Sequence, residues 1–131
     1  MATYKIGQEN NDSLTDLVMC LLHSGIVTHI MHWQTESYAA HQAFGEYYSE
    51  IPELIDAVIE TYQGKTGIIL RGFPMEMEDY ESMEPLAYME YLSLELTNGR
   101  ALFGTDSEIQ NLVDAIADLI DSTMYKLKRF K

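Results

Sequence analysis

The chain has little positive charge, almost no cysteine and few prolines, and each shortage excludes something. Eight lysines and arginines stand against 21 aspartates and glutamates in 131 residues, a formal charge of −13. A domain this acidic repels nucleic acid and anionic membrane and attracts cations, metal ions among them. Acidity also serves solubility, so by itself it selects no function. The one cysteine, Cys20, lies in the apolar run LVMCLL. It can form no internal disulfide and reads as a small buried hydrophobe, which fits a reducing, cytoplasmic setting. The N-terminal MATYKIGQENND lacks the apolar core of a signal peptide. The longest apolar stretch, LVMCLLHSGIV, falls far short of the ~18 residues that span a bilayer. Common catalytic signatures are missing too. GKTG has neither the upstream glycine nor the preceding strand of a phosphate-binding loop. No serine sits in a nucleophile elbow. No Glu-x-x-His pair is present to build a di-iron site inside one bundle.

What is present is helical. Apolar residues make up 47% of the chain, enough to bury the core of one domain spanning 1–131. Prolines occur only at 52, 74 and 85, and nothing alternates like a half-buried strand. Four windows carry the helical period. The first is expected to open at Asp12 or Ser13, after an N-terminal extension over about 1–12. Leu14, Leu17, Val18, Leu21, Gly25, Thr28 and His32 form one stripe. Met19, Leu22, Ile26, Ile30 and Trp33 form a second beside it, so the helix is expected to be buried against several partners. Small Gly25 and Thr28 permit close approach of a neighbouring helix. The second window runs from about 37 to 64, with His41, Phe44, Tyr48, Ile55, Ile59 and Tyr62 on one face. Pro52 makes it one kinked helix or two pieces, the second capped by Ser49. A connection over about 65–82 follows, and Ser82 reads as the cap of a third helix ending at Asn98 and Gly99. Thr105 and Glu108 form a capping box for the fourth, whose stripe is Ile109, Leu112, Val113, Ile116, Leu119, Ile120, Thr123 and Leu127. Four helices with one long crossover between the second and third have the connectivity of ferritin-like bundles.

The chemistry-bearing residues lie in the stretch 28–60. His29, His32 and His41 fall within thirteen residues, followed by Asp56 and Glu60. Imidazole and carboxylate suit iron, zinc or manganese. Asp56 and Glu60 are four apart, hence on one helical face. His41 and Asp56 are separated by about 22 Å along a helix axis, so one chain cannot bring both to one ion. Two antiparallel copies meeting about a two-fold axis can. Glu36, four after His32, is a further candidate ligand. His23 reads as a hydrogen-bonded structural residue. Tyr47, Tyr48 and Tyr62 lie where they could pass electrons to such a site.

The HW of His32 and Trp33, the AH of His41, and Asp56 and Glu60 in DAVIE resemble the core of the Dps mini-ferritins, starvation-type members of the ferritin-like superfamily. The last helix, TDSEIQNLVDAIADLIDSTMYKL, also resembles theirs. HWQT, YAAH and ETYQGK resemble uncharacterised ferritin-like proteins of tailed phages. The resemblance covers roughly 14–64 and 105–127. It implies a ferroxidase that binds iron between His32 and His41 of one chain and Asp56 and Glu60 of another. It also implies a homodimer, a dodecameric cage being the larger assembly, in the cytoplasm of an infected host if a phage encodes the chain. Two departures stand out. The family spaces its two histidines by twelve residues, but His32 to His41 is nine. A three-residue deletion in the turn, or a shift of role to His29, each explains this. The family's aspartate four after the second histidine is Gly45 here. Both departures favour an alternative, a ferritin-like phage structural or interaction protein without metal chemistry. DNA binding through the terminal KLKRFK is disfavoured, since four positive charges sit on a −13 body.

Overall fold

In the computed structural model residues 2–131 are described, with side chains from Ser13 onward. Helix α1 spans Ala2–Gln34, α2 Tyr38–Thr66, α3 Pro85–Gly99 and α4 Ser107–Arg129, with a 3-10 turn at Arg100–Phe103. The described residues contain no strand.

Several ends differ from the sequence reading. Helix α1 runs unbroken through Asp12 and Ser13, so neither caps it and the expected extension continues the helix. No proline interrupts 2–34. Helix α2 is one piece with Pro52 inside it, and Ser37 is its N-cap. Ser49 caps nothing; its hydroxyl donates to the Gly45 carbonyl at 2.7 Å. Gly67 ends α2 at φ 74°, a left-handed conformation that favours glycine. Glu84, rather than Ser82, caps α3, and Pro85 takes its first turn. The proline forces this start, because deeper in a helix its ring would meet the carbonyl four residues back. Gly99 is not a left-handed terminator. A β-carbon there would lie 2.9 Å from Leu17 Cδ2, so glycine lets α3 close on α1. The cap of α4 is Asp106, one residue beyond the expected Thr105. Its carboxylate accepts the N–H groups of Glu108 and Ile109. Glu108 pairs with Lys65 at 2.6 Å instead of completing a box.

Packing runs α1 on α2, α2 on α4, α4 on α3 and α3 on α1, which closes a ring of four helices. The start of α3 and the end of α4 lie beside the α1–α2 turn, where Ser37, Pro85 and Phe130 line one cleft. At the other end Lys65 of α2 pairs with Asp106 at the start of α4. The helices therefore run up, down, down, up. The connection 67–84 must travel the length of the bundle, which is why it is long. It lies along α1, with Leu70 buried and its N–H bonded to Gln63 Oε1. Gln34 Nε2 reaches Glu81 at 3.1 Å.

The buried stripe of α4 is Ile109, Val113, Ile116, Leu119, Ile120 and Thr123, with Leu112 and Leu127 packed at its edge. On α2 the core face is Ala43, Phe44, Tyr47, Ile51, Ile55, Val58 and Tyr62, so Tyr47 rather than Tyr48 points inward. On α1 the first expected stripe is buried at Leu14, Leu17, Val18, Leu21 and Thr28. The second is not: Leu22, Ile26 and Trp33 are exposed. The reason lies in the packing: α2 and α3 cover the inner side of α1, and the crossover, which shares a cleft with Ile26 and Ile30, leaves Leu22, Ile26 and Trp33 exposed. Ser13–Gln34 is also long and apolar enough, by length and composition, to cross a membrane, which the uninterrupted run alone did not suggest. Here it serves as a core helix, since its inner face is covered by the bundle.

Tyr88 is wholly buried, and its hydroxyl has no hydrogen-bond partner. Tyr88→Phe should therefore raise stability by about 1 kcal/mol, read as a higher urea midpoint.

Candidate functional site

The turn between α1 and α2 is three residues, 35–37. Ser37 Oγ accepts the Ala40 N–H at 3.2 Å, and the Ser37 N–H bonds Thr35 Oγ1. So short a hairpin sets the last turn of α1 against the first turn of α2, and His32 meets His41. Their rings stack with centroids 3.7 Å apart and 16° between planes. His32 Nδ1 lies 2.7 Å from the His41 carbonyl, and His41 Nδ1 lies 2.9 Å from the His32 carbonyl. A carbonyl only accepts, so each Nδ1 carries the proton. In the neutral ring the lone pair is then on Nε2, and neither Nε2 makes a hydrogen bond among the described residues. Gly45 backs the pair: a β-carbon there would sit 3.4 Å from His32 Cε1. Glu46, next along, turns away to pair with Lys126 of α4.

His29 is placed differently. Its ring stacks on Tyr48 at 3.9 Å, with Trp33 at 4.7 Å, and meets His32 only edge-on at 6.2 Å. The short turn thus brings His32, and not His29, onto His41 despite the nine-residue interval. Asp56 and Glu60 are exposed on α2, and Glu36 is exposed in the turn. Among the described residues no group of three or more His, Cys, Asp or Glu comes together to hold a metal ion within one chain. The structure thus brings His32 and His41 together and leaves Asp56 and Glu60 exposed further along α2.

Spacing did not reveal the polar links that fix these helices. Tyr47, fully buried, hydrogen-bonds Ser24 Oγ at 2.7 Å, and burial holds its phenol well above the usual range. It is a core residue rather than a neighbour of the histidine pair. Tyr80 donates to Tyr91 at 3.0 Å, tying the crossover to α3. A cleft of about 370 Å³ between α1, the crossover and α3 is lined by Asp16, Cys20, Glu76, Glu78, Tyr91 and Glu95, among others. Burial pushes the Cys20 thiol up to about 11, so at neutral pH it is a poor nucleophile.

His23 also departs from expectation. Its Nδ1 is buried with no partner, and desolvation lowers its pKa from 6.5. A lowered folded-state pKa means the unfolded chain takes up the proton first as pH falls. The contribution is full above pH 6.5 and is lost as pH drops through the folded value. Urea unfolding at neutral and mildly acid pH should show a smaller loss of stability for His23→Gln than for the native chain.

A family model described as a family of unknown function, DUF5856, matches residues 32–127. An uncharacterised 14.6 kDa protein from the mobD–ri intergenic region of Enterobacteria phage T4 is 28% identical over 100 residues, covering 76% of this chain and 75% of that protein. No solved structure matches. The family match begins at His32 and takes in His41, Asp56, Glu60, the crossover and the last two helices, and so the chain belongs to the DUF5856 family.

Proposed function

We propose that the protein binds a divalent transition metal, ferrous iron foremost, at a site completed by two copies, and oxidises it as a Dps-like mini-ferritin does. The observation that carries this is the reciprocal bonding of His32 and His41. Histidines that ligate metal almost always donate their other ring N–H to a carbonyl, carboxylate or water, which fixes the tautomer and aims the lone pair. Here both rings do so, toward backbone carbonyls. The up, down, down, up course of the helices is a second support. Asp56 and Glu60 of a second copy would supply charge to match the cation, and the net charge of −13 draws cations to the surface. Zinc and manganese suit the same donors. In the redox step two ferrous ions give up one electron each. Peroxide takes both, its O–O bond breaks, and its oxygens leave as water after taking up two protons. Dioxygen is the other candidate oxidant. The phage relative suggests that the chain works in the cytoplasm of an infected host.

One observation favours the second reading, a structural or interaction protein of a phage. The same two bonds already form a finished clamp across the hairpin, and one chain gathers no third ligand. Anaerobic titration of the full chain with ferrous iron, followed by peroxide and by light scattering, separates the two. Stoichiometric uptake by a multimer, lost on Asp56→Ala, supports the metal reading. A chain that takes up neither iron, zinc nor manganese leaves the clamp as structure only.

A further inference from the structure

From Leu17 to Thr35 the chain carries no Asp, Glu, Lys or Arg, although the whole chain has 29 charged residues, 8 basic plus 21 acidic. In the fold eight of these nineteen residues are buried, and Leu22, Ile26, Trp33 and Gln34 are exposed. Met19, Leu22, Ile26, Ile30 and Trp33 fall within an arc of about 80° at 100° per residue, a stripe roughly 21 Å long. It lies roughly opposite Leu14, Leu17, Leu21 and Thr28. Ile26 is 60% and Trp33 69% exposed, Leu22 is exposed, and Met19 and Ile30 are half-buried. A solvent-facing helix side normally carries charge, so a continuous apolar strip on so acidic a protein marks a contact surface.

We infer that the outer face of α1 is where a second copy of this chain docks, α1 against α1. The choice of occupant rests on the two-copy reading of the metal site and on three features of the molecule. First, a copy with a charge of −13 is repelled by an acidic surface, and the stripe itself carries no charge, with Glu78, Asp79 and Glu81 of the crossover only at its flank beside Ile26 and Ile30. Second, a two-fold contact sets the same patch on both sides, so an apolar stripe is its own complement. Third, the stripe is continuous with the histidine pair: Trp33 packs on His29, His29 stacks on Tyr48 of α2, and Tyr48 meets the His32 ring edge-on at 5.3 Å. A partner seated on the stripe therefore lies beside the half-site that lacks carboxylates. A bilayer is the weaker occupant. The inner face of α1 is core, so entering lipid would dismantle the bundle, and anionic headgroups repel the chain.

The test uses metal-free full-length protein in chelator. Trp33 is the only tryptophan, so its emission reports on this face directly. Sedimentation velocity should show a dimer or a multiple of it, and Trp33 emission should shift to the blue as concentration rises and the species pairs. Ile26→Glu sets two carboxylates face to face and should raise the dissociation constant at least about tenfold. Because Ile26 is exposed, far-ultraviolet circular dichroism should be unchanged. Mixing Ile26→Glu with Ile26→Lys should restore pairing. A native chain that stays monomeric with unshifted Trp33 emission overturns the inference. So does pairing that Ile26→Glu leaves intact, or a monomer whose emission shifts only on neutral phosphatidylcholine vesicles. The metal reading fails separately: a chain that pairs through this face and ignores ferrous iron keeps the interface and loses the ferroxidase. A chain that binds iron as a pair insensitive to Ile26→Glu does the reverse.

Discussion

His41→Asn should abolish metal binding while leaving the fold intact. The asparagine amide nitrogen stands where histidine Nδ1 stands, two bonds beyond Cβ, so it can still donate to the His32 carbonyl that His41 Nδ1 reaches at 2.9 Å. It has nothing at the position of Nε2. Losing a group that hydrogen-bonds and orients a ligand typically costs ~10–100-fold in metal affinity, and losing the ligand itself should cost at least ~100-fold, or ~3 kcal/mol. His41→Ala removes both functions. It should lose the metal and also strand a carbonyl at the hairpin, costing about 1 kcal/mol of stability. Isothermal titration with cobalt or anaerobic ferrous iron gives the first quantity and urea unfolding the second. If His41→Asn binds metal as tightly as the native chain, the histidine pair is a clamp and no ligand. If His41→Asn and His41→Ala unfold at the same urea concentration, the reciprocal hydrogen bonds contribute nothing measurable to the hairpin.

The sequence carried the helix count, the crossover and most of the core, because those depend on local periodicity. It carried the histidine–histidine meeting less clearly. A nine-residue interval is compatible with contact only if the turn is tight, and the Ser37 cap and Thr35 hydroxyl that tighten it are ordinary residues in a string. The start of α2 at Ser37 was legible, but those of α3 and α4 were misplaced by local look-alikes. Ser82 and Thr105 are good caps in isolation, but Pro85 and Asp106 fix the true first turns. The outer stripe of α1 was misread for a different reason. Hydrophobicity says that a face wants burial and does not say by what, so the pattern predicts burial against several partners for Leu22, Ile26 and Trp33, which are exposed. Ser24 with Tyr47, or Tyr80 with Tyr91, had no sequence signal at all, since such pairs follow from tertiary packing.

Phe44→Ala and Gly45→Ala are neighbours expected to move stability in opposite directions. Phe44 has no exposed surface and sits in the core cluster on α2, the helix that packs on both α1 and α4. Truncating it removes the ring's transfer energy and leaves a cavity that surrounding helices only partly fill, a cost of about 3–5 kcal/mol. Against a domain stability of about 5–15 kcal/mol, that lowers the melting midpoint by roughly 10–20 °C for a chain of this size. Gly45 lies one residue, and 100°, further round the helix. A β-carbon there makes ordinary contact with His32 Cε1 at 3.4 Å, so alanine fits. It also removes the entropy that a mid-helix glycine loses on folding, a gain of roughly 0.5–1 kcal/mol. Thermal and urea unfolding of the two variants thus reports the rotation of α2 about its axis. A loss below about 1 kcal/mol for Phe44→Ala, or a loss above about 1 kcal/mol for Gly45→Ala, would mean that α2 presents a different face to α1. His41, three residues before Phe44 on the same helix, would then be misplaced, and its stack on His32 of α1 with it.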